Sequence, residues 1–299
     1  MISRLDSASE KFLADLGRLQ ERNQRAQRQI TSGLRVSAAS DDPGVVAAIV
    51  ESQVQLDRVA QIRTNLERIQ AETESGEEAL ATATSLVERV IEIASRGANS
   101  TNTAESRSTL AIEAESILNR LVTLSSARVG GRYIFSGDAD QTAPYTVDLT
   151  QPSGVSAYAG AASTRRAEDI YGVRIALEHT AQTIFDNSST SVFAAVNSLR
   201  TALLADDQPG IANALSALRS SHDHLNKELS FYGSVQNEIA TSVELATKQE
   251  LNLKVAISRL RDADLVESSV ELAQTRTHIE AAFSSRASMP RTTLFDYLG

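Results

Sequence analysis

Residues 213–260 read NALSALRSSHDHLNKELSFYGSVQNEIATSVELATKQELNLKVAISRL. Leu215, Leu218, His222, Leu225, Leu229, Tyr232, Gln236, Ile239, Val243, Ala246, Glu250, Leu253, Ile257 and Leu260 alternate there at spacings of three and four, through six heptads. That is the period of an α-helical seam. No proline falls between Pro209 and Pro290, so nothing forces the helix to break. An apolar stripe of this length has to be buried against a partner of similar length.

A partner lies at the other end of the chain. Asp42-Pro43 reads as an N-cap followed by a first helical residue. The helix it opens carries Ile62, Leu66, Ile69, Thr73, Gly76, Leu80, Ala83, Val87, Val90 and Ala94 in the same alternation, up to about Gly97. A third helix follows Asn99-Ser-Thr-Asn-Thr, with Leu110, Ala114, Ile117, Leu121 and Leu124 on one face, and is expected to end at Gly130-Gly131. Ahead of them, Ile2, Leu5, Ser9, Phe12, Leu16, Leu19, Asn23, Ala26 and Ile30 form a seam that stops near Gly33. Behind them, Leu265, Leu272, Ile279 and Phe283 mark a last helical face before Pro290.

The stretch from 130 to 195 differs in kind. It holds six of the 14 glycines, two of the five prolines and seven of the 13 aromatics. Arg132–Phe135, Tyr145–Leu149, Val155–Tyr158 and Tyr171–Ile175 are short β-prone runs separated by turn residues. The fold class is therefore mainly α: a long antiparallel helical bundle or coiled coil formed by the N- and C-terminal arms, with a small β-rich domain inserted. The expected division is a terminal helical assembly domain (1–40 plus 262–299), a helical core bundle (41–130 plus 196–261) and the inserted outer domain (131–195).

Composition narrows the function. The 299 residues carry a net charge of −9, which opposes a general nucleic-acid binder. The chain has no cysteine, so disulfides, thiolate metal sites and a cysteine nucleophile are excluded. No apolar run reaches the roughly 18–20 residues of a membrane span, and the first residues, MISRLDSASEKF, show no apolar signal-peptide core. His222 and His224 stand two apart on a helix and point away from each other. Asp41-Asp42 reads as a helix cap rather than an acid–base pair. There is no nucleophile elbow, P-loop, dinucleotide fingerprint or zinc-helix motif. No catalytic residue, cofactor or metal is assigned.

The terminal seams point to assembly. Residues 2–30 and 262–289 have only each other to pack against, and too few large apolar side chains to offset the ordering of both segments. They are expected to be mobile in a free monomer and to order when neighbouring copies cover them. Charge is segregated as well: residues 1–35 carry seven basic and four acidic side chains (+3), residues 36–120 seven basic and 14 acidic (−7). Faces of opposite sign steer subunits against one another. On the seams themselves, Asn23, Gln236 and Glu250 are either tolerated near solvent or set register.

With these readings in place, the chain resembles the bacterial flagellin family. Residues 29–44, QITSGLRVSAASDDPG, are similar to the family signature, here Ser32, Gly33, Arg35, Val36, Ala39, Asp41 and Asp42. Residues 89–102 are similar to its core helix and following turn. Gly131-Arg-Tyr-Ile-Phe-Ser-Gly137 resembles the family's entry into the outer domain, with Gly131, Tyr133, Phe135 and Gly137 matching, and Thr293-Leu-Phe-Asp-Tyr-Leu298 resembles the tail of its hook–filament junction branch. The resemblance implies a structural subunit of the flagellum, at the hook–filament junction, needed for filament assembly and motility. It implies self-assembly into a ring, contact with a hook-side junction protein and with flagellin, and an extracellular location. It also implies unfolded export by the flagellar type III apparatus without signal cleavage, and an export chaperone on the C-terminal helices. The implied subunit interfaces are Ile2, Leu5, Phe12, Leu16, Leu19 and Ile30 in the N-terminal seam, and Leu265, Leu272, Ile279, Phe283, Leu294, Phe295, Tyr297 and Leu298 at the C-terminus. Filament flagellin itself, and a coiled coil carrying a ligand-binding or enzymatic insert, stand as alternatives.

Overall fold

A computed structural model describes residues 2–177 and 179–288, with side chains from residue 9 onward. Seven helices dominate the described residues: α1 (Ile2–Ser32), α2 (Pro43–Gly97), α3 (Ala104–Ser125), α4 (Ala181–Phe185), α5 (Val192–Leu204), α6 (Gln208–Arg261) and α7 (Leu265–Ala287). Four short strands, β1 (Arg128–Val129), β2 (Arg132–Tyr133), β3 (Arg166–Glu168) and β4 (Arg174–Ala176), form two separate antiparallel pairs, β1–β2 and β3–β4. No described helix is long and apolar enough to cross a membrane. The chain divides into two compact units, Met1–Arg58 with Glu250–Gly299, and Val59–Gln249.

In the unit Val59–Gln249, α2 and α6 run antiparallel. Gly97 approaches Ile211, His222 Nε2 lies 3.1 Å from Glu88, Gly76 receives Tyr232, and Leu66 and Ile69 share a buried cluster with Val235 and Ile239. Every seam residue expected on α2 from Leu66 to Ala94 is buried. The α6 stripe is wider than expected. Leu218, Leu225, Tyr232, Ile239, Ala246, Leu253 and Ile257 are buried as read, but Leu215, His222, Leu229, Gln236 and Val243 are half-buried. The positions just before them, Ala214, Ser221, Glu228, Val235 and Ser242, are buried instead. A helix packed against several neighbours buries more than two positions per heptad, and residues as small as alanine and serine let backbones come close.

The third helix ends at Ser125, not at Gly130-Gly131. Those two glycines, φ +57° and +83°, make the two-residue turn of the β1–β2 hairpin, a position that needs left-handed backbone. The 131–195 insert shares in two separate two-stranded sheets, one of which reaches back to Arg128. Of its expected strands, Tyr145–Leu149 and Val155–Tyr158 meet only at a single Val147–Val155 bridge. Their apolar residues pack mainly on helices: Tyr145 and Val155 join the core of α2, α3, α5 and α6, and Tyr145 also meets Tyr158 at 5.5 Å between ring centres. Helix α5 was not expected; Ser191 caps it, its hydroxyl accepting from Ala194 N–H.

Candidate assembly surface

The first signature motif is the connection between α1 and α2. Helix α1 ends as Gly33 takes φ +72°, a left-handed helix stop. Gly33 carbonyl then accepts from Ala263 N–H, and Arg35 and Val36 N–H both donate to Arg261 carbonyl. The Arg35 guanidinium donates to Leu260 carbonyl at 2.5 Å and stands 3.6 Å from Asp42. Asp42 Oδ1 accepts from Val45 N–H at the start of α2, the expected cap. Asp41 does different work: its Oδ2 accepts from Ser37 N–H, Ser37 hydroxyl and Ala38 N–H at 2.8–2.9 Å. These residues of the signature form a built turn stitched to the α6–α7 connection, with the hydroxyl of Ser32 accepting from Leu34 N–H.

Those donors hold the Asp41 carboxyl below its ordinary value, the Ser37 and Ala38 N–H groups contributing most. A carboxyl depressed by folding stabilises the turn above its unfolded value and ceases to do so as pH falls through the lower folded value. In an acid titration followed by NMR, the Ser37 and Ala38 amide signals should therefore move with a midpoint below 3.8, and Asp41→Asn should abolish the movement. A midpoint at or above the ordinary carboxylate value would contradict this account.

Helices α1 and α7 pack antiparallel: Gln29 meets Ser268, Asn23 Nδ2 donates to Thr275 Oγ1 at 3.1 Å, and Arg286 donates to Ser9. Arg22 pairs with Glu271 at 2.7 Å, and Arg286 lies over the Phe12 ring. Asn23 thus sits on the seam opposite a fully buried Thr275, whereas Gln236 Nε2 is buried without a partner and Glu250 pairs with Lys254. Phe12, Leu16, Leu19 and Ile30 are half-buried along the stripe of Asn23 and Ala26; Leu272 and Ile279 are half-buried on α7. Leu265 and Phe283 are exposed. The side chains of Ile2 and Leu5, and residues Leu294, Phe295, Tyr297 and Leu298, lie outside the described residues.

Sequence reading missed part of this surface. Val50 and Val54 on α2, Leu251 and Val255 on α6, Val266 and Val270 on α7, and Leu13 on α1 are all exposed. Each helical pair is spaced by four, off the seam, and that spacing is the signal that could have found them. Together with Leu265 and Phe283 they place nine of the 15 exposed large apolar side chains among the described residues in the unit Met1–Arg58 with Glu250–Gly299. That unit buries only Ala26, Val36, Leu253 and Ile257 among described apolar residues. It displays apolar surface instead of enclosing it.

The second motif anchors the insert. Gly131 turns the β1–β2 hairpin and Tyr133 stacks under Arg128, 4.5 Å from guanidinium carbon to ring centre. Phe135 is fully buried, edge-on to Phe185 and Tyr232 at 6.3 and 6.1 Å. Gly137 holds φ +62° hard against the Ala161 carbonyl. Nearby, Glu72 on α2 is buried and takes Arg132 on one oxygen and Arg165 on the other, each at 2.6 Å. Among the described residues no three His, Cys, Asp or Glu side chains are grouped to hold a metal.

A helical subunit with one well-packed unit and one apolar-surfaced unit defines a class: proteins that complete their core by associating. Comparison with known proteins is specific. Residues 6–140 match the bacterial flagellin N-terminal helical region and residues 215–298 the bacterial flagellin C-terminal helical region. The chain belongs to the bacterial flagellin family. It is 24% identical over 295 residues to flagellar hook-associated protein 3 of Escherichia coli, covering 89% of this chain and 90% of that protein. It is 22% identical over 272 residues to the flagellar filament 33 kDa core protein of Treponema phagedenis, covering 90% and 89%. A solved hook-associated protein from Vibrio parahaemolyticus shares the fold at a TM-score of 0.66 and 19% identity, over 74% of this chain and 100% of that one.

Proposed function

We propose that this flagellin-family subunit is the adaptor at the hook–filament junction, assembling as a ring on which flagellin polymerises. The observation that carries the assembly role is the crowding of exposed apolar side chains onto the unit that has almost no core of its own. The junction position is supported by the likeness to a hook-associated protein over 89% of this chain and 90% of that one, and by the entry motif Gly131–Gly137. On this reading the role is structural and non-catalytic. The subunit leaves the cell through the flagellar type III apparatus without signal cleavage, with a chaperone on its C-terminal helices. Outside, it meets a hook-side junction protein on one side and flagellin on the other.

Deleting the gene in its motile host should leave hooks without filaments, with flagellin monomers in the medium. Electron microscopy of cell-attached structures and assay of the medium check this. Filaments growing normally from the mutant hooks would overturn the junction reading. Loss of the filament protein itself, with no flagellin released, would instead place the chain in the filament, the reading favoured by its likeness to a filament core protein.

A further inference from the structure

The β3–β4 hairpin is built more rigidly than its own burial requires. Its inner face is fixed: Ala167, Ile175 and Leu177 are buried against Leu66 and Ile69 of α2 and Val235 and Ile239 of α6. Its tip is fixed as well. The buried Asp169 accepts from Tyr171 N–H and Val173 N–H, both at 2.8 Å. Asp169 N–H donates to Val173 carbonyl and Gly172 N–H to Asp169 carbonyl, with Gly172 at φ +83°. This turn holds out Tyr171, 73% exposed, and Val173, 52% exposed. Arg166 and Arg174 flank them, exposed and without an ion pair among the described residues. A pre-organised tip with an aromatic and flanking arginines has the make-up of an interface anchor, because little freedom remains to be lost on binding.

We propose that this tip docks on helix α2 of a neighbouring copy, around Glu74 and Glu78. The inference rests on the ring reading above. Charge complementarity selects the partner: Glu74, Glu77 and Glu78 have no ion pair among the described residues, and they fall in the stretch 36–120 that carries seven basic against 14 acidic side chains. Level selects it too. The hairpin sits over Leu66 and Ile69, and Glu74–Glu78 lies about one and a half to three turns further along the same helix, roughly 7–18 Å away. Copies laid side by side with little axial offset bring one tip to the next α2. The contact joins two different surfaces, so it is heterologous, and a heterologous contact that closes makes a ring.

The chain has no cysteine, so any thiol is one that is introduced. Full-length Tyr171→Cys/Glu78→Cys, expressed in the deletion host, is treated on isolated hooks and filaments with a short bis-maleimide. The double variant should give a ladder of cross-linked multimers; either single variant should stay monomeric. In parallel, Arg174→Glu should cut the number of filament-bearing hooks by an order of magnitude, and adding Glu78→Arg should restore it. Filaments from the double-cysteine variant with no ladder, cross-linking in the single Tyr171→Cys variant, or normal filaments from Arg174→Glu would each overturn the docking proposal while leaving the junction reading intact. Should the double-cysteine variant grow no filaments, the charge reversal and its rescue decide alone. Failure of the junction reading shows separately, as filaments on the gene-deletion strain.

Discussion

Replacing Gly137 by alanine should be among the most damaging single-methyl additions this protein can suffer. A Cβ there would stand 2.1 Å from the Ala161 carbonyl oxygen and 2.9 Å from its carbon. Both are backbone atoms, so no side chain can swing aside. The φ of +62° adds the penalty of left-handed backbone for an L-residue. Together these cost about 2–5 kcal/mol, which lowers a urea midpoint by roughly 1–2 M at ordinary slopes. Gly131 supplies the comparison. Its φ is +83°, yet nothing lies within 4 Å of a Cβ placed on it, so Gly131→Ala should lose only about 1–2 kcal/mol from conformation. Urea unfolding of the full-length chains, followed by tyrosine circular dichroism, checks the order. Equal losses at the two glycines would show that the close approach to Ala161 does not matter.

That contrast also explains what the sequence could reveal. Period is a property of spacing alone, so the antiparallel α2–α6 pair was legible from Leu66 to Ala94 and from Leu218 to Ile257. What spacing hides is width. Leu229 and Val243 are the larger apolar residues, but Glu228 and Ser242 beside them are the buried ones, since α6 faces more than one neighbour: Ser242 is small enough for close contact, and Glu228 is held by His179. The insert hid more. Val147 and Val155 look like strand residues, and strands need a neighbour of regular register; here loops lie on helices and only one bridge forms. The signature Ser32–Asp42 was legible as a cap and as a resemblance. Its second function, tying the α1–α2 turn to residues 260–263, depends on a contact across more than 200 residues that no local pattern carries. The exposed pairs Val50/Val54 and Leu251/Val255 were visible in principle. They lie off the seam, so seam periodicity alone does not mark them.

Glu72 should be as costly to remove as Gly137 is to enlarge, and for an electrostatic reason. Its side chain is 7% exposed and receives Arg132 on Oε1 and Arg165 on Oε2, both at 2.6 Å, with Arg68 4.0 Å away. Arg132 comes from the entry of the insert and Arg165 from the segment leading into β3, so one carboxylate of α2 gathers two distant parts of the insert. Glu72→Ala takes that carboxylate from two partly solvated guanidinium groups, of which Arg132 keeps Asp140 3.6 Å away, and such losses cost about 2–3 kcal/mol. Glu72→Gln separates charge from packing: it keeps the volume but turns an amide N–H₂ toward a guanidinium that can only donate. The glutamine variant should therefore recover little of the loss, and trypsin should cleave it at Arg165 or Arg166 under conditions where the native chain stays whole. Concentrated salt should scarcely weaken the native protein at this site, because a buried pair is poorly screened. A glutamine variant as stable and as protease-resistant as the native chain would show that Glu72 acts by shape, and that the aromatic packing of Phe135 against Tyr232 is sufficient to seat the insert.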